Sequence, residues 1–354
     1  MGGTGAIRIR TGNRRVTPPE REYMKLQILT PHWQEECNEM LPLLDSLKLQ
    51  QGISFDDFGV IIVYDGDEAT ELPEIGWRNK YPYDIQFRRI DHGGVSAARN
   101  AALDAATADY VMFCDADDCF CLLCGLRLIF DEIEKGFDVL TSLFVEETRK
   151  PDDGKLVFIQ HKMDGTFVHG KIYRREYLLS NNIRFNPSLM VHEDSFFNLL
   201  AQDLAPDKDR VKYSPVAFYL WRWRDNSICR RDKDYLLSTY PQLIDSNDAL
   251  VDEFEARGHS DKAQFYVAHM VFEAYYNLNK PMWLDPSKAH YRQAVYRRMR
   301  DYLAKHGGQW NALPLAERMN ISSGLRARNI QEGMLIEVMS MGQWFAEVMG
   351  SNGG

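Results

Sequence analysis

Residues 109–118 carry a group of carboxylates whose spacing could hold a metal ion. The segment reads D-Y-V-M-F-C-D-A-D-D, so an apolar run ends at once in Asp115, Asp117 and Asp118. Such a run fits a strand buried on both faces of a parallel sheet, and open sheets of this kind bind ligands at the carboxyl edge. Carboxylates there suit a hard divalent cation that takes further oxygens from a diphosphate. The alternative is a polar loop that caps the next helix.

A helix is predicted to begin beside the same sheet edge. Residues 93–106, G-G-V-S-A-A-R-N-A-A-L-D-A-A, place two glycines before an alanine-rich segment that favours helix. Free N–H groups near Gly94 and the helix dipole would attract phosphate, and Arg99 would add a charged donor. The simpler interpretation of Arg99 is a solvated helix arginine.

Together, the segments H-G-G-V-S-A-A-R-N-A-A-L and D-Y-V-M-F-C-D-A-D-D resemble the signature of family 2 glycosyltransferases. These are inverting enzymes of the glycosyltransferase-A fold that use nucleotide-diphosphate sugars. Further similar segments occur in the expected order over roughly residues 25–231: I-L-T-P at 28–31, V-I-I-V-Y-D-G-D at 60–67, G-K-I-Y-R-R-E-Y at 170–177 and H-E-D at 192–194.

The resemblance implies an α/β fold of the glycosyltransferase-A type, Rossmann-like, with a mainly parallel central sheet flanked by helices. Apolar runs separated by helix-length segments agree with this. From about residue 235 the pattern is helical only, which predicts an all-helical C-terminal extension. We expect a flexible N-terminal tail, a catalytic domain and a C-terminal helical region, at 1–22, 23–234 and 235–354. Helices of the last region are expected at 235–257, 260–279, 286–305 and 327–349.

The resemblance also assigns the metal ligands. It makes Asp117 the direct ligand of Mn²⁺ or Mg²⁺, whereas Asp115 contacts the metal or the ribose through water. For Asp118, helping the metal and capping a helix are both open.

For the nucleotide, the resemblance implies that Thr30 and Pro31 form a wall beside the base and ribose. Asp65 is similar to the uracil-binding aspartate of the family. Tyr64 replaces a further aspartate of the usual pattern. Because Asp65 is retained, a UDP-sugar is favoured, while thymidine and guanosine nucleotides stay open.

The acidic pair Glu193-Asp194 occupies the acceptor side of the family pattern. Asp194 is the expected general base, and Glu193 orients the acceptor or shares that role. Acidic residues also stabilise the first turn of ordinary helices, which is the structural alternative. His192 could act as a base, although a structural histidine is the simpler interpretation.

Residues 219–231, Y-L-W-R-W-R-D-N-S-I-C-R-R, resemble the family's loop over the diphosphate. Arg224 and Arg230 are the expected phosphate contacts, and Trp221 or Trp223 could stack on a sugar. A solvated basic loop is the alternative. Gly170 and Lys171 are expected to line the cleft, with a surface salt bridge as the other interpretation of Lys171. Taken together, the residues expected to contact the donor are Thr30, Pro31, Asp65, Gly94, Arg99, Asp115, Lys171, Arg224 and Arg230.

Composition limits the partners. The 354 residues are 45% hydrophobic and 26% charged, with a formal net charge of -9, which argues against nucleic acid. No apolar run of membrane length and no secretory signal are visible, so we expect a cytoplasmic protein. Its expected partners are a nucleotide-diphosphate sugar and a glycan, lipid-linked, protein or small-molecule acceptor. The apolar face of the last helix predicts packing within the chain or a homodimer.

Four cysteines fall within residues 114–124 and include one C-x-x-C. A single such pair is a poor zinc signature, so buried thiols are expected.

The sequence leaves two other functions open. One is a catalytically inactive sugar-binding or partner-binding module on the same fold. The other is a nucleotidyltransferase, which would usually have a glycine-rich loop where this chain has T-P-H-W-Q-E-E-C.

Overall fold

A computed structural model of the chain describes residues 24–150, 152–162, 164–225, 227, 230, 234–331, 333 and 338–350. The expected N-terminal tail at 1–22 lies outside these residues.

The core of the protein is one mixed β-sheet. In the described residues its nine strands are ordered β3-β2-β1-β4-β8-β6-β9-β5, and β7 pairs with β6. They are β1 Leu26–His32, β2 Phe58–Asp65, β3 Asp84–Ile90, β4 Tyr110–Phe113, β5 Cys119–Phe120, β6 Val139–Arg149, β7 Leu156–His161, β8 Lys171–Arg174 and β9 Val211–Trp221.

The predicted parallel sheet forms the N-terminal half of this order. Strands β3, β2, β1 and β4 are all parallel to their neighbours. Beyond β4 the sheet becomes mixed, because β8 enters antiparallel to both β4 and β6, while β6 and β9 are parallel. All residues of β4 are buried, as its apolar run predicts. The strand therefore delivers the carboxylates that follow it to the carboxyl edge of β1 and β2.

Helices flank the sheet and build two apolar cores, one on each face. Helix α3 buries Ala98, Ala102 and Leu103 at helical spacing, which packs the alanine-rich segment tightly on the sheet. The helices of this part are α1 Cys37–Lys48, α2 Glu74–Lys80, α3 Gly94–Ala105, α4 Gly125–Ile133, α5 Arg175–Ser180 and α6 Glu193–Asp203, with 3-10 turns at Phe55–Asp57 and Lys208–Arg210.

The described part of the C-terminal region is helical, as predicted. Its helices are α7 Tyr235–Ser238, α8 Tyr240–Ala256, α9 Ser260–Leu278, α10 Pro281–Leu284, α11 Ala289–Ala312, α12 Leu315–Gln331 and α13 Met341–Gly350, with a 3-10 turn at Pro286–Lys288.

Three predicted helix boundaries in this region are wrong. The segment 235–257 divides at Thr239, because Pro241 lies in the first turn of a new helix, α8. Helix α11 continues through Gly307 and Gly308 to Ala312, so these glycines do not end it. The single helix expected at 327–349 is two, since α12 ends at Gln331 and α13 begins at Met341.

A buried amide holds the break between the last two helices. Asn279 Oδ1 accepts the backbone N–H groups of Val338 and Met339, at 3.2 and 3.3 Å, so these residues leave the helical path. Helix α13 then buries Trp344 and Val348 in the apolar core that it shares with β1, β4 and α3. This is the packing within the chain that its apolar face predicts.

The helical region is also bonded to α6. Ser246 Oγ donates to the carbonyl oxygen of His192 at 2.9 Å, and Tyr266 donates to Asp203 at 2.6 Å. No helix among the described residues is both long and apolar enough to cross a bilayer.

The described cysteines are free thiols. Cys114 is buried as expected, whereas Cys119 and Cys124 are half-buried and Cys121 is exposed, so the expectation of buried thiols is wrong for Cys121. Cys229 lies outside the described residues.

Candidate active site

At the end of β2, the Asp65 carboxylate caps the start of α3. Its Oδ1 accepts the N–H of Gly93 at 2.8 Å, and its Oδ2 accepts that of Gly94 at 3.0 Å. His92 Nδ1 lies 3.0 Å from the same Oδ2. Gly94 has φ +80°, a conformation that favours glycine. The predicted phosphate site therefore has two of its N–H groups bonded to Asp65, and Asp65 itself is buried.

The wall beside this aspartate contains an aromatic ring that sequence analysis did not single out. Trp33 is 41% exposed and stacks on His92, with ring centroids 5.6 Å apart. Of the two residues predicted to form the wall, Thr30 is fully buried and Pro31 is half-buried. An aromatic residue directly after the first strand was the available signal, and its exposed ring offers a stacking surface.

Asp115 is bonded to a buried arginine. Arg99 donates from one NH group to Asp115 Oδ1 at 2.8 Å, and His169 Nε2 lies 3.9 Å from Oδ2. Burial by itself would raise the pKa of Asp115, but Arg99 and His169 hold it well below its usual range. Asp115 is therefore ionised and keeps a partly exposed carboxylate toward the cleft.

Asp117 contacts the loop that follows β9. Arg224 donates to Asp117 Oδ2 at 3.0 Å, and its Nε lies 3.1 Å from Glu39 Oε1. Burial and the negative charge of Asp115 raise the pKa of Asp117, and Arg224 opposes this only in part. The two neighbouring aspartates thus carry negative charge that a further cation would stabilise.

The residues present fit a hard divalent cation. Asp115 and Asp117 both offer partly exposed carboxylate oxygens, the donors such ions prefer. A second set of possible metal ligands consists of Asp115, Asp118 and His169, whose ligand atoms all lie within 4.8 Å of one another.

Asp118 does not cap a helix, because Cys124 occupies the N-cap of α4. Instead it is fully buried and accepts bonds from the Tyr219 hydroxyl and from the N–H of Arg222, the latter at 2.9 Å. Burial, together with Asp117 and Asp115, raises its pKa well above the usual range. Its observed role is to fasten β9 and the loop after it to the carboxylate edge.

His169 is a site residue that sequence analysis missed. Its ring stacks between Phe167 and Tyr219, at centroid distances of 5.4 and 4.9 Å, and faces Phe144 edge-on. Burial lowers its pKa despite the opposing effect of Asp115. No local motif around His169 indicated the contact, because the aspartate that it faces is distant in sequence.

The predicted acidic pair begins α6. Arg99 donates from its other NH group to Glu193 Oε1 at 2.8 Å, while Asp194 Oδ1 accepts the N–H of Ser195 at 2.8 Å. Burial and the charge of Glu193 raise the pKa of Asp194 to about 7, against the opposing effect of Arg99. A carboxylate with such a pKa is suited to general base catalysis near neutral pH.

His192 precedes the pair as the helix N-cap, with φ +61°. Burial lowers its pKa. Its backbone carbonyl joins α6 to the helical region through Ser246, which agrees with the structural interpretation.

Arg99 is 4% exposed and lies between the two predicted halves of the site. Both of its bonded NH groups face carboxylates. A diphosphate contact by Arg99 stays a prediction, and the observed bonds give the residue another role.

Gly170 and Lys171 are both buried. Lys171 is 1% exposed, donates from Nζ to the carbonyl oxygen of Phe167, and has its pKa lowered to about 8 by burial. The alternative of a surface salt bridge is therefore wrong. Gly170 has φ +65°, and a Cβ there would lie 2.6 Å from Ser142 Oγ. Their predicted contact with the donor would require movement of the buried lysine.

Arg230 packs inside its own loop. It donates to the carbonyl oxygen of Arg222 at 2.8 Å and to Glu146 at 3.3 Å. Its guanidinium lies over the rings of Trp221 and Trp223, 4.4 and 4.8 Å from the centroids. Both indoles therefore stack on an arginine, and a phosphate contact by Arg230 stays a prediction. Residues 226, 228, 229 and 231 of this segment are outside the described chain.

Comparisons with known proteins agree with these motifs. Residues 27–181 match the model of the family described as glycosyl transferase family 2. The chain is 29% identical over 216 residues to the uncharacterized glycosyltransferase EpsJ of Bacillus subtilis (strain 168), covering 55% of this chain and 58% of that one. It is 27% identical over 209 residues to the minor teichoic acid biosynthesis protein GgaA of the same strain, covering 52% and 44%.

A third relative is the poly(ribitol-phosphate) beta-N-acetylglucosaminyltransferase TarS of Staphylococcus aureus (strain Mu50 / ATCC 700699), 27% identical over 193 residues, covering 50% of this chain and 32% of that one. The chain thus spans less than two thirds of the length of each of these relatives. Among solved structures, S. aureus TarS 1-349 in complex with UDP-GlcNAc has a TM-score of 0.49 at 20% identity, covering 84% of this chain and 79% of that one.

Proposed function

The chain belongs to glycosyl transferase family 2 through residues 27–181, and we propose that it is a metal-dependent, inverting glycosyltransferase. It moves a sugar from a nucleotide-diphosphate sugar to an acceptor hydroxyl. The observation that carries this proposal is the bridge from Asp115 through Arg99 to Glu193. It joins a carboxylate edge suited to a cation and diphosphate to an acidic pair suited to proton removal.

On the acceptor side, Asp194 removes the proton of the attacking hydroxyl. Its pKa of about 7 leaves a substantial ionised fraction at neutral pH and makes the carboxylate more basic than an ordinary aspartate. A single displacement at the anomeric carbon needs one such base and gives inversion. Glu193, which accepts a hydrogen bond from Arg99, orients the acceptor.

On the donor side, Asp115 and Asp117 would hold Mn²⁺ or Mg²⁺. When bound, the cation neutralises charge that develops on the departing diphosphate, so no second carboxylic acid is required. Arg224, which pairs with Asp117, exchanges that carboxylate for a phosphate oxygen when the donor binds. Trp33 offers its exposed ring to the base beside Asp65, and a UDP-sugar remains the favoured donor.

The acceptor is proposed to be the hydroxyl of a cell-surface glycan or teichoic-acid-type polymer. Support comes from the relatives, which include a minor teichoic acid biosynthesis protein and a poly(ribitol-phosphate) transferase. We further propose that residues 23–234 form the catalytic domain and that 235–354 help to select the acceptor. A cytoplasmic location and a homodimer through the C-terminal helices remain part of this proposal.

The experiment is a donor screen with product analysis. The protein is incubated with Mn²⁺ and a panel of nucleotide sugars, with EDTA and Asp194→Asn as controls. Release of nucleoside diphosphate that requires both metal and the native Asp194 supports the proposal. Release of pyrophosphate would identify a nucleotidyltransferase, and donor binding without turnover would identify an inactive binding module.

A further inference from the structure

Arg99 spans the cleft between the two halves of the proposed site. Its two NH groups donate, each at 2.8 Å, to Asp115 after β4 and to Glu193 at the start of α6. Its Nε has no hydrogen-bond partner among the described residues. The guanidinium is buried, so each carboxylate is held by a charged donor with little competition from water.

The arginine rests on a rigid aromatic surface. Its guanidinium carbon lies 5.2 Å from the ring centroid of Phe185. The side chain of Asn100, the next residue, donates to the carbonyl oxygen of Phe185 at 2.8 Å and accepts its N–H at 3.0 Å. Helix α3 therefore fixes both the arginine and the ring below it.

The same aromatic cluster fixes both ends of the bridge. Phe185 stacks on Phe197 of α6 at 4.0 Å, and Phe113 of β4 meets these two rings edge-on at 4.9 and 5.5 Å. Phe113 lies two residues before Asp115, and Phe197 lies one helical turn after Glu193. Close packing of this kind restricts the movement of Asp115 relative to Glu193.

We propose that Arg99 is a positioning residue that sets the separation between the donor-side aspartate and the acceptor-side acidic pair. This rests on the proposed function. The planar fork of arginine can bond two carboxylates at a fixed distance, whereas the single ammonium of lysine cannot reproduce that geometry. Loss of the bridge therefore lowers the rate of transfer, and donor binding is retained.

The test compares Arg99→Lys with Glu193→Gln and with the double variant. Arg99→Lys removes the planar fork, and Glu193→Gln removes the negative charge from one of its two partners, while both changes leave a polar side chain in place. We expect kcat to fall roughly 10²-fold in each single variant, because small misplacement of reacting groups has effects of this size. The double variant should be no slower than the singles, since residues that act through one bond are not additive.

Binding is measured separately by calorimetry with Mn²⁺ and UDP. Affinity close to that of the native protein supports the positioning role. A loss of affinity of about tenfold or more with kcat preserved would overturn it and make Arg99 a diphosphate ligand. Arg184→Lys is the matched control, because this arginine pairs with Asp104 at the surface, 2.7 Å away, and both readouts should stay unchanged.

Failure of the proposed function has a different outcome. A native protein without turnover on any donor would defeat the transferase assignment itself. A crystal structure with Mn²⁺ and UDP would then decide the role of Arg99: a guanidinium still bonded to both carboxylates supports the inference, and one turned to the phosphates overturns it.

Discussion

Arg224 of the loop after β9 donates to Asp117, with 3.0 Å between NH1 and Oδ2. The carboxylate predicted to bind a cation is thus paired with an arginine predicted to bind phosphate. The carboxylates of Glu35 and Glu39 also pair with this guanidinium, with Oε1 atoms 3.7 Å from its NH1 and 3.1 Å from its Nε, respectively. In the proposed function, the arginine and a metal ion would compete for this Asp117 oxygen before the donor binds.

This competition predicts the effect of Arg224→Ala. Without nucleotide, the affinity for Mn²⁺ should rise about twofold to fivefold, the size expected when a partly exposed ion pair is removed. Affinity for UDP in the presence of Mn²⁺ should fall, because a phosphate donor is lost. Calorimetry measures both. Lys155→Ala removes one positive charge from the hairpin between β6 and β7 and is the control; lower Mn²⁺ affinity in the arginine variant would refute the competition.

The raised pKa of Asp194 predicts the pH dependence of turnover. A general base acts in its ionised form, so kcat/KM should rise with pH and level off above a pKa of about 7. Asp194→Asn should lower kcat roughly 10²- to 10⁴-fold while UDP binding is kept. Initial rates from pH 5.5 to 8.5 test this, and a rate independent of pH over that range would place the base elsewhere.

The same carboxyl should reduce stability at neutral pH. Its pKa is near 3.9 in an unfolded chain and higher in the folded protein, so stability is lost as pH rises through the folded pKa. We expect Asp194→Asn to raise Tm over the native protein by an amount that grows from about pH 4 to 7. Thermal unfolding at several pH values measures the difference. Asp153→Asn, at an exposed hairpin position, should show no such growth.

Replacement of Gly170 by alanine should destabilise the fold. A Cβ there would meet Ser142 Oγ at 2.6 Å, and φ is +65°. Gly154 has φ +67° with no neighbouring atom within 4 Å, so Gly154→Ala introduces the backbone strain alone, about 1–2 kcal/mol. Gly170→Ala should cost clearly more free energy of unfolding than this control. Equal values in denaturant titrations would show that the loop adapts.

Local sequence patterns were sufficient to predict the strand and the helix that form the carboxylate edge of the sheet. The apolar run before Asp115 and the glycines before α3 are short-range signals, and both elements form where these patterns predict. Similarity to a family, and not spacing, indicated that Glu193 belongs to the same site. The bridge by Arg99 joins residues that are 16 and 94 positions away from it, which no local pattern encodes.

The same limit explains what sequence analysis missed. His169 reaches Asp115, and Tyr219 bonds Asp118, only because β8 and β9 cross the sheet next to β4 and β6. The broken C-terminal helix depends likewise on Asn279, which accepts bonds from residues 59 and 60 positions later. Gly333, at φ +67° just after α12, is a local signal for the end of that helix, whereas the contact with Asn279 depends on the tertiary structure.

In the proposed function, Asp115 and Asp117 hold a cation that in turn holds a nucleoside diphosphate. Calorimetric titration of UDP into the native protein and into Asp117→Asn, with Mn²⁺ and then with EDTA, tests it most directly. The native protein should bind UDP far more tightly with Mn²⁺, and the variant should bind it equally weakly in both buffers. Undiminished metal-dependent binding by the variant would contradict the account.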